Sequence, residues 1–220
     1  MGSRIFFLPG YGEHKEVFNE LAPMIHGYEL KFIDYRMILS QVPVWKVNGR
    51  EIAQLLVRHY GIREGDKLIG HSMGGYFSFL IREALGNDIC MISSFSDPGK
   101  VIHMLPNPYF TPLLAVSGIT KTPWAKNYMY RKVRGKAVER PMMNVIDGFK
   151  NFSNEDLFKL ALITLEPKPV SILPNPLRLH AKDDKVVRIP DEPFVEVTGG
   201  HFPLNIVPGD IIKELSAFLE

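Results

Sequence analysis

Lys67-Leu68-Ile69-Gly70-His71-Ser72-Met73-Gly74-Gly75 joins an apolar run to a helix-forming one. The residues before the first glycine predict a short buried strand over 67–70. The spacing after it predicts a helix from about Met73 to Leu85, stopped by Gly86-Asn87. A strand that becomes a helix within one or two residues leaves no room for side chains beside the turn, which accounts for glycine at 70 and 74. Such a turn strains the residue at its apex and lifts that side chain above the strand end. Ser72 occupies the apex. A hydroxyl held there, ahead of a helix N-terminus that favours negative charge, is a candidate nucleophile. The plainer reading is a glycine-rich turn with an incidental serine. A phosphate-binding turn is disfavoured, because neither the phosphate-loop lysine pattern nor Gly-x-Gly-x-x-Gly occurs.

Working outward, Arg4–Leu8, Leu30–Asp34, Ile89–Ser93, Leu177–His180 and Phe194–Val197 read as further strands. The first three of these, like 67–70, read as continuous apolar runs rather than alternating ones, as expected for a parallel sheet covered on both faces. Helical patterns lie between them. Glu13–Ile25 has the spacing Val17, Leu21, Met24. Asn48–Tyr60 has Asn48 as its cap, Glu51 at the capping-box position and Gly61 as its stop, and Pro208–Leu219 opens on a proline. The alternation predicts an α/β fold with a mostly parallel central sheet and helices on both faces. From Pro98 to about Pro169 the pattern breaks into a stretch rich in Pro, Met and aromatics, whose clearest helix is Asn154–Leu165 behind Ser153 or Asn154. The chain therefore divides into a core, 1–97 with 170–220, and an insertion, 98–169.

The 220 residues suit one domain, and a formal net charge of +2 points to neither nucleic acid nor membrane. No apolar run approaches the ~18 residues of a membrane span. Ile5-Phe6-Phe7-Leu8 is too short for a signal peptide. Met1-Gly2 opens like an acylation signal, but Phe6 stands where Ser or Thr is needed. The single cysteine, Cys90, sits in the apolar run Ile89-Cys90-Met91-Ile92 and reads as a buried strand residue in a reducing compartment. The expectation is a soluble cytoplasmic protein with no membrane or nucleic-acid partner.

A serine nucleophile needs a base. Of the seven histidines, His201 in Thr198-Gly199-Gly200-His201 follows one strand and precedes a helix, which brings it to the sheet end where Ser72 emerges. His71 adjoins Ser72 but is turned away by the same geometry, as a structural or pocket-wall residue. His180 reads as a packed strand histidine. The base in turn needs a carboxylate to fix its tautomer. Leu179-His180-Ala181-Lys182-Asp183-Asp184-Lys185-Val186-Val187 offers two. Asp184 is preferred because Val186-Val187 would anchor its loop; Asp183 is the rival, and Asp97, after the fourth strand, a more distant alternative. Backbone N–H groups must meet the oxyanion of an acyl-transfer intermediate. That of Met73 is one candidate, and that of Tyr11, in Leu8-Pro9-Gly10-Tyr11-Gly12, the other. No histidine pair has metal-ligand spacing with a third ligand, and no cofactor or metal is called for.

These segments together resemble the α/β-hydrolase superfamily: the Pro-Gly-Tyr-Gly loop, the Gly-His-Ser-Met-Gly-Gly turn, the strand-end Asp184, and the Gly-Gly-His201-Phe-Pro turn, in the order Ser, Asp, His. Pro9 replaces a histidine common in that family, and its first antiparallel strands are missing here. The resemblance implies a cofactor-free serine hydrolase acting on a small carboxylic ester or thioester, with 98–169 as a helical cap. The same triad could instead serve C–C bond cleavage or elimination, and an idle binding protein on this scaffold is a third reading. Within 121–150 eight cations, Lys121, Lys126, Arg131, Lys132, Arg134, Lys136, Arg140 and Lys150, face Glu139 and Asp147. This is either a solvated face or a cap that steers an anionic acyl substrate or an acidic carrier. Phe110, Trp124, Tyr128 and Tyr130 line a pocket or form the cap's own core.

Overall fold

Parity divides each apolar run between two faces of one sheet. Ile5 and Phe7 enter one buried cluster while Phe6 and Leu8 enter the other, and the same split separates Cys90 and Ile92 from Ile89 and Met91. A strand covered on both faces has no polar side to show, which is why the runs are continuous. In the computed structural model, which describes residues 3–103 and 105–220, these runs form one sheet. Met1 and Gly2, which bear on the acylation reading, lie outside the described residues.

In chain order the elements are β1 (Arg4–Leu8), β2 (Glu29–Phe32), α1 (Arg36–Leu39), α2 (Gly49–Tyr60), β3 (Lys67–His71), α3 (Met73–Leu85) and β4 (Ile89–Ile92). Then come α4 (Phe110–Ser117), α5 (Pro123–Val133), α6 (Glu139–Gly148) and α7 (Asn154–Ile163), followed by β5 (Leu177–His180), β6 (Val195–Glu196), α8 (Pro203–Ile206) and α9 (Pro208–Leu219). The strand order is β2-β1-β3-β4-β5-β6, and every pairing is parallel. All strands therefore end at the same edge. Between β1 and β3 the chain's direction of travel across the sheet reverses, and at such a point the loops after adjacent strands diverge and leave a crevice.

Helices α2, α3 and α7 pack one face through Ile52, Leu56, Phe77, Ile81, Leu157 and Leu160, all fully buried; α9 packs the other through Ile211 and Leu215. The caps are those the sequence predicts. The Asn48 side chain accepts from Glu51 N–H, Gly61 adopts φ +60° at the end of α2, and Ser153 and Asp156 form a reciprocal capping box on α7. Cys90 is fully buried.

One element differs. Glu13–Ile25, whose spacing predicts a helix, folds as two 3-10 turns, Lys15–Phe18 and Ala22–Met24. Val17 and Leu21 are buried as the spacing requires, but Met24 is exposed, and Pro23 opens the second turn with no N–H to continue a helix from the first. The described residues of 98–169 contribute helices and turns and no strand to the sheet; α4 packs chiefly on α7. Among the described residues no helix is long and apolar enough to cross a membrane.

Candidate active site

The turn at the end of β3 is as tight as its glycines require. Ser72 has φ +51° and ψ −122°, one of two non-glycine residues with positive φ among those described. A side chain at Gly74 would put its Cβ 1.9 Å from the Leu8 carbonyl oxygen of β1, so only glycine lets α3 start this close to the sheet. The strained serine is held on both sides. Its N–H donates to Ile92 O at 3.0 Å, and its carbonyl accepts from Ser94 Oγ at 2.5 Å.

Beyond β6, Gly199 and Gly200 take φ +108° and +59°, a left-handed pair that folds the chain back so that His201 faces the sheet edge. Its Nε2 lies 3.1 Å from Ser72 Oγ, and its Nδ1 lies 2.9 Å from Asp184 Oδ2. The other carboxylate oxygen of Asp184 accepts from Val186 N–H (2.7 Å) and Val187 N–H (3.0 Å). Ser72 and His201 are each 7 % exposed. Burial pushes the Asp184 carboxyl up, but the adjoining His201 and the three hydrogen bonds outweigh it and hold the group below the usual carboxylate range. With Asp184 an anion and acceptor only, Nδ1 must carry a proton, and Nε2 faces the hydroxyl with its lone pair.

Residues separated by up to 129 positions thus meet at one rim. Of the three candidate acids, Asp184 adjoins His201. Asp183 is exposed, and Asp97 instead accepts from Gly99 N–H at 2.8 Å, capping a turn. The loop after β1 lies alongside Ser72: a Cβ on Gly10 would fall 2.9 Å from Ser72 Cβ. Gly10 N–H is engaged by Glu13 Oε2 at 2.5 Å. The Tyr11 ring meets Phe149 edge-on with centroids 5.6 Å apart, and its hydroxyl donates to Leu157 O at 3.2 Å, so residues of 98–169 clasp this loop from outside.

Sequence reasoning missed Glu13. It is 5 % exposed, and its Oε2 lies 2.8 Å from His71 Nδ1; His71 Nε2 lies 2.7 Å from the carbonyl oxygen of His201. Its signal is thin: an acidic residue three places after Gly10, whose partner lies 58 residues on. The aromatics of 98–169 behave otherwise than expected. Phe110, Trp124, Tyr128 and Tyr130 are all exposed, so they form no cap core. A cavity of about 640 Å³ between the turn Lys15–Phe18, the end of β2 and α6 is lined by Glu16, Asp34, Arg36 and Asp147, away from Ser72 and His201. Among the described residues no group of three or more His, Cys, Asp or Glu could hold a metal ion.

No family model and no curated protein matches the chain. Solved structures do. A hydrolase from Oleispira antarctica superposes with a TM-score of 0.72 at 14 % identity, over 100 % of this chain and 91 % of that one. A thermophilic esterase from Thermogutta terrifontis gives 0.67 at 16 %, over 100 % and 90 %, and an esterase from a Rhodococcus species 0.63 at 14 %, over 99 % and 90 %. At such identities the likeness is one of fold. The chain has the α/β-hydrolase fold, as its motifs led us to expect.

Proposed function

We propose that the protein is a serine hydrolase that cleaves a small carboxylic ester or thioester through an acyl-enzyme on Ser72. The observation that carries this reading is the aligned contact Ser72 Oγ–His201 Nε2–Nδ1–Asp184 Oδ2, 3.1 and 2.9 Å, behind a hydroxyl on a strained turn. The hydrolase and esterases of similar fold support it. His201 takes the hydroxyl proton as Oγ attacks the carbonyl carbon, and Asp184 stabilises the imidazolium that results. The N–H groups of Met73 and Tyr11 donate to the developing oxyanion, with the N-terminus of α3 behind Met73. The imidazolium then protonates the leaving alcohol or thiol. Water, deprotonated by His201, attacks the acyl-enzyme, and the tetrahedral intermediate collapses to carboxylic acid and free Ser72.

Purified protein offered a panel of p-nitrophenyl esters and acyl-CoA thioesters is expected to turn over at least one short-chain member and to hold a trapped acyl group on Ser72. Turnover of a C–C substrate with no acyl-enzyme from any ester would instead favour the cleavage or elimination chemistry.

Residues 98–169 serve in this reading as the cap, and their cations as the steering field for an anionic acyl group. Asp147 is already paired with Lys126 at 2.6 Å and Lys150 at 3.4 Å. Lys132 and Arg134 lie over the rings of Tyr128 and Tyr130 and engage no carboxylate among the described residues. Reversing both to Glu is expected to raise KM for a carboxylate-bearing ester several-fold at low salt, and to leave a neutral ester unchanged. Equal effects on the two substrates would contradict steering.

A further inference from the structure

We propose that Glu13 and His71 form a buried ion pair whose imidazolium positions the loop carrying His201. The effect on rate rests on the serine-hydrolase reading; the protonation state does not.

The argument starts from donors and acceptors. His71 is fully buried, and each ring nitrogen faces an oxygen: Nδ1 a carboxylate oxygen of Glu13 at 2.8 Å, Nε2 the backbone carbonyl of His201 at 2.7 Å. A carbonyl oxygen only accepts, and an ionised carboxylate only accepts. A neutral imidazole has one N–H, so either neutral tautomer sets a lone pair against an oxygen at one of the two contacts. The imidazolium has two N–H groups and satisfies both. The proton resides on the ring rather than on Glu13, because the same Oε2 already accepts Gly10 N–H at 2.5 Å, a contact that favours the carboxylate. The groups facing His71 agree. Burial works against its charge, but Glu13 from the loop after β1, the His201 carbonyl, and Asp184 from the loop after β5 together raise its pKa. The rings of His201 and Phe202 complete the enclosure at 4.9 and 5.6 Å, so water has little access to replace a lost contact.

The consequence is positional. His71 directly precedes the nucleophile. Its ring holds the backbone of the base residue, and through Glu13 the pair holds Gly10 N–H in the loop that brings Tyr11 N–H to the oxyanion. One proton thus couples three segments that are distant in sequence. Displacing a catalytic group by about 1 Å can lower a rate about a hundredfold. Both residues are positioning residues, since neither touches the reacting atoms in this arrangement.

The sign of the pH dependence follows. A histidine whose folded pKa is raised contributes stability that is fully present below its unfolded pKa, about 6.5, and lost as pH rises through the folded value. Above that value the pair sheds its proton, the His201 carbonyl or Glu13 loses its donor, and activity falls on the alkaline side.

Glu13→Gln separates charge from shape. Its amide oxygen can still accept Gly10 N–H and an Nδ1–H where Oε2 does in the wild type, but a neutral ring that donates from Nδ1 no longer donates to the His201 carbonyl, so the shape is kept and one contact is lost with the charge. The test is ¹⁵N imidazole NMR of the wild type at pH 7.5, with the His71 signals assigned by their loss in His71→Asn, alongside pH profiles of kcat/KM. The wild type is expected to show both ring nitrogens of His71 protonated and Glu13→Gln a neutral ring. Glu13→Ala is expected to lower kcat about tenfold to a hundredfold with KM little changed. Glu13→Gln, which keeps the Gly10 contact, is expected to retain more of kcat than Glu13→Ala and to lack the alkaline fall. A neutral His71 in the wild type at pH 7.5 overturns the ion pair. Identical pH profiles for the wild type and Glu13→Gln overturn its link to activity. If Glu13→Ala does not fold, the Glu13→Gln profile and spectrum decide the matter. A protein that hydrolyses no ester fails the functional reading, and the NMR arm still judges the pair.

Discussion

Ser72→Ala is expected to lower kcat for the best ester substrate by about a millionfold, with KM little changed. The reasoning is one of necessity. Among the described residues His201 Nε2 has the Ser72 hydroxyl as its partner, and removing that oxygen leaves the base nothing to activate but water. What survives is the contribution of the oxyanion donors and of binding, about 10³–10⁴ over the uncatalysed rate. Because the residues act as a unit, Ser72→Ala/His201→Ala is expected to be little worse than either single variant. The fold is not at risk, since the Ser72 side chain makes no cap bond for α3 and the strained backbone is held through its own N–H and carbonyl, by the Ile92 carbonyl and the Ser94 hydroxyl. Turnover of p-nitrophenyl acetate, with thermal unfolding as the control, checks this. A variant retaining a tenth of wild-type activity would put the nucleophile elsewhere.

Asp184→Asn is expected to lower kcat by about 10⁴-fold, whereas Asp183→Asn leaves it within about twofold. The two positions adjoin in sequence and differ completely in surroundings. Asp184 accepts from His201 Nδ1 and from two backbone N–H groups; Asp183 faces solvent. An amide at 184 can offer its NH₂ to Nδ1, which favours the tautomer with the proton on Nε2, where it cannot take another from Ser72. The same carboxylate is linked to stability. Its folded pKa lies below its unfolded value of about 3.9, so the stability it contributes is present above that pH and lost as pH falls through the folded value. Acid unfolding of Asp184→Asn is therefore expected to depend less steeply on pH than that of the wild type. Assay of both variants side by side decides the point, and reversed losses would transfer the role to Asp183.

The parts legible in the sequence are those whose physics is local. Ile89–Ile92 is a strand in both readings because a strand buried on two faces needs four apolar residues and little else. Gly70 marks the turn because the backbone of Gly74 and Gly75, a few residues on, excludes a Cβ. The cap on α2 is written in Asn48 and Gly61. Asp184 could be preferred over Asp183 because Val186 and Val187, close by in the chain, supply the N–H groups that hold it.

What stayed hidden depends on distant partners. Helices α4 and α5 were not predicted, because Phe110, Leu113, Val116, Trp124 and Tyr128 face solvent and so mark no buried stripe. Val17 and Leu21 imitate a helix because two successive 3-10 turns also bring residues four apart to one side. Glu13 looked like an ordinary charged residue next to a turn. Its burial makes sense only once His71 is beside it, and neither partner announces the other.

The central claim is that His201, oriented by Asp184, makes the Ser72 hydroxyl nucleophilic. Its most direct measurement is peptide mass spectrometry after treatment with a fluorophosphonate, which adds covalently to an activated serine hydroxyl. The adduct is expected on the peptide bearing Ser72, to be absent in Ser72→Ala, and to form at least a hundredfold more slowly in His201→Gln. An unlabelled Ser72 in folded wild-type protein, or labelling that proceeds at full rate without the His201 imidazole, would contradict the account.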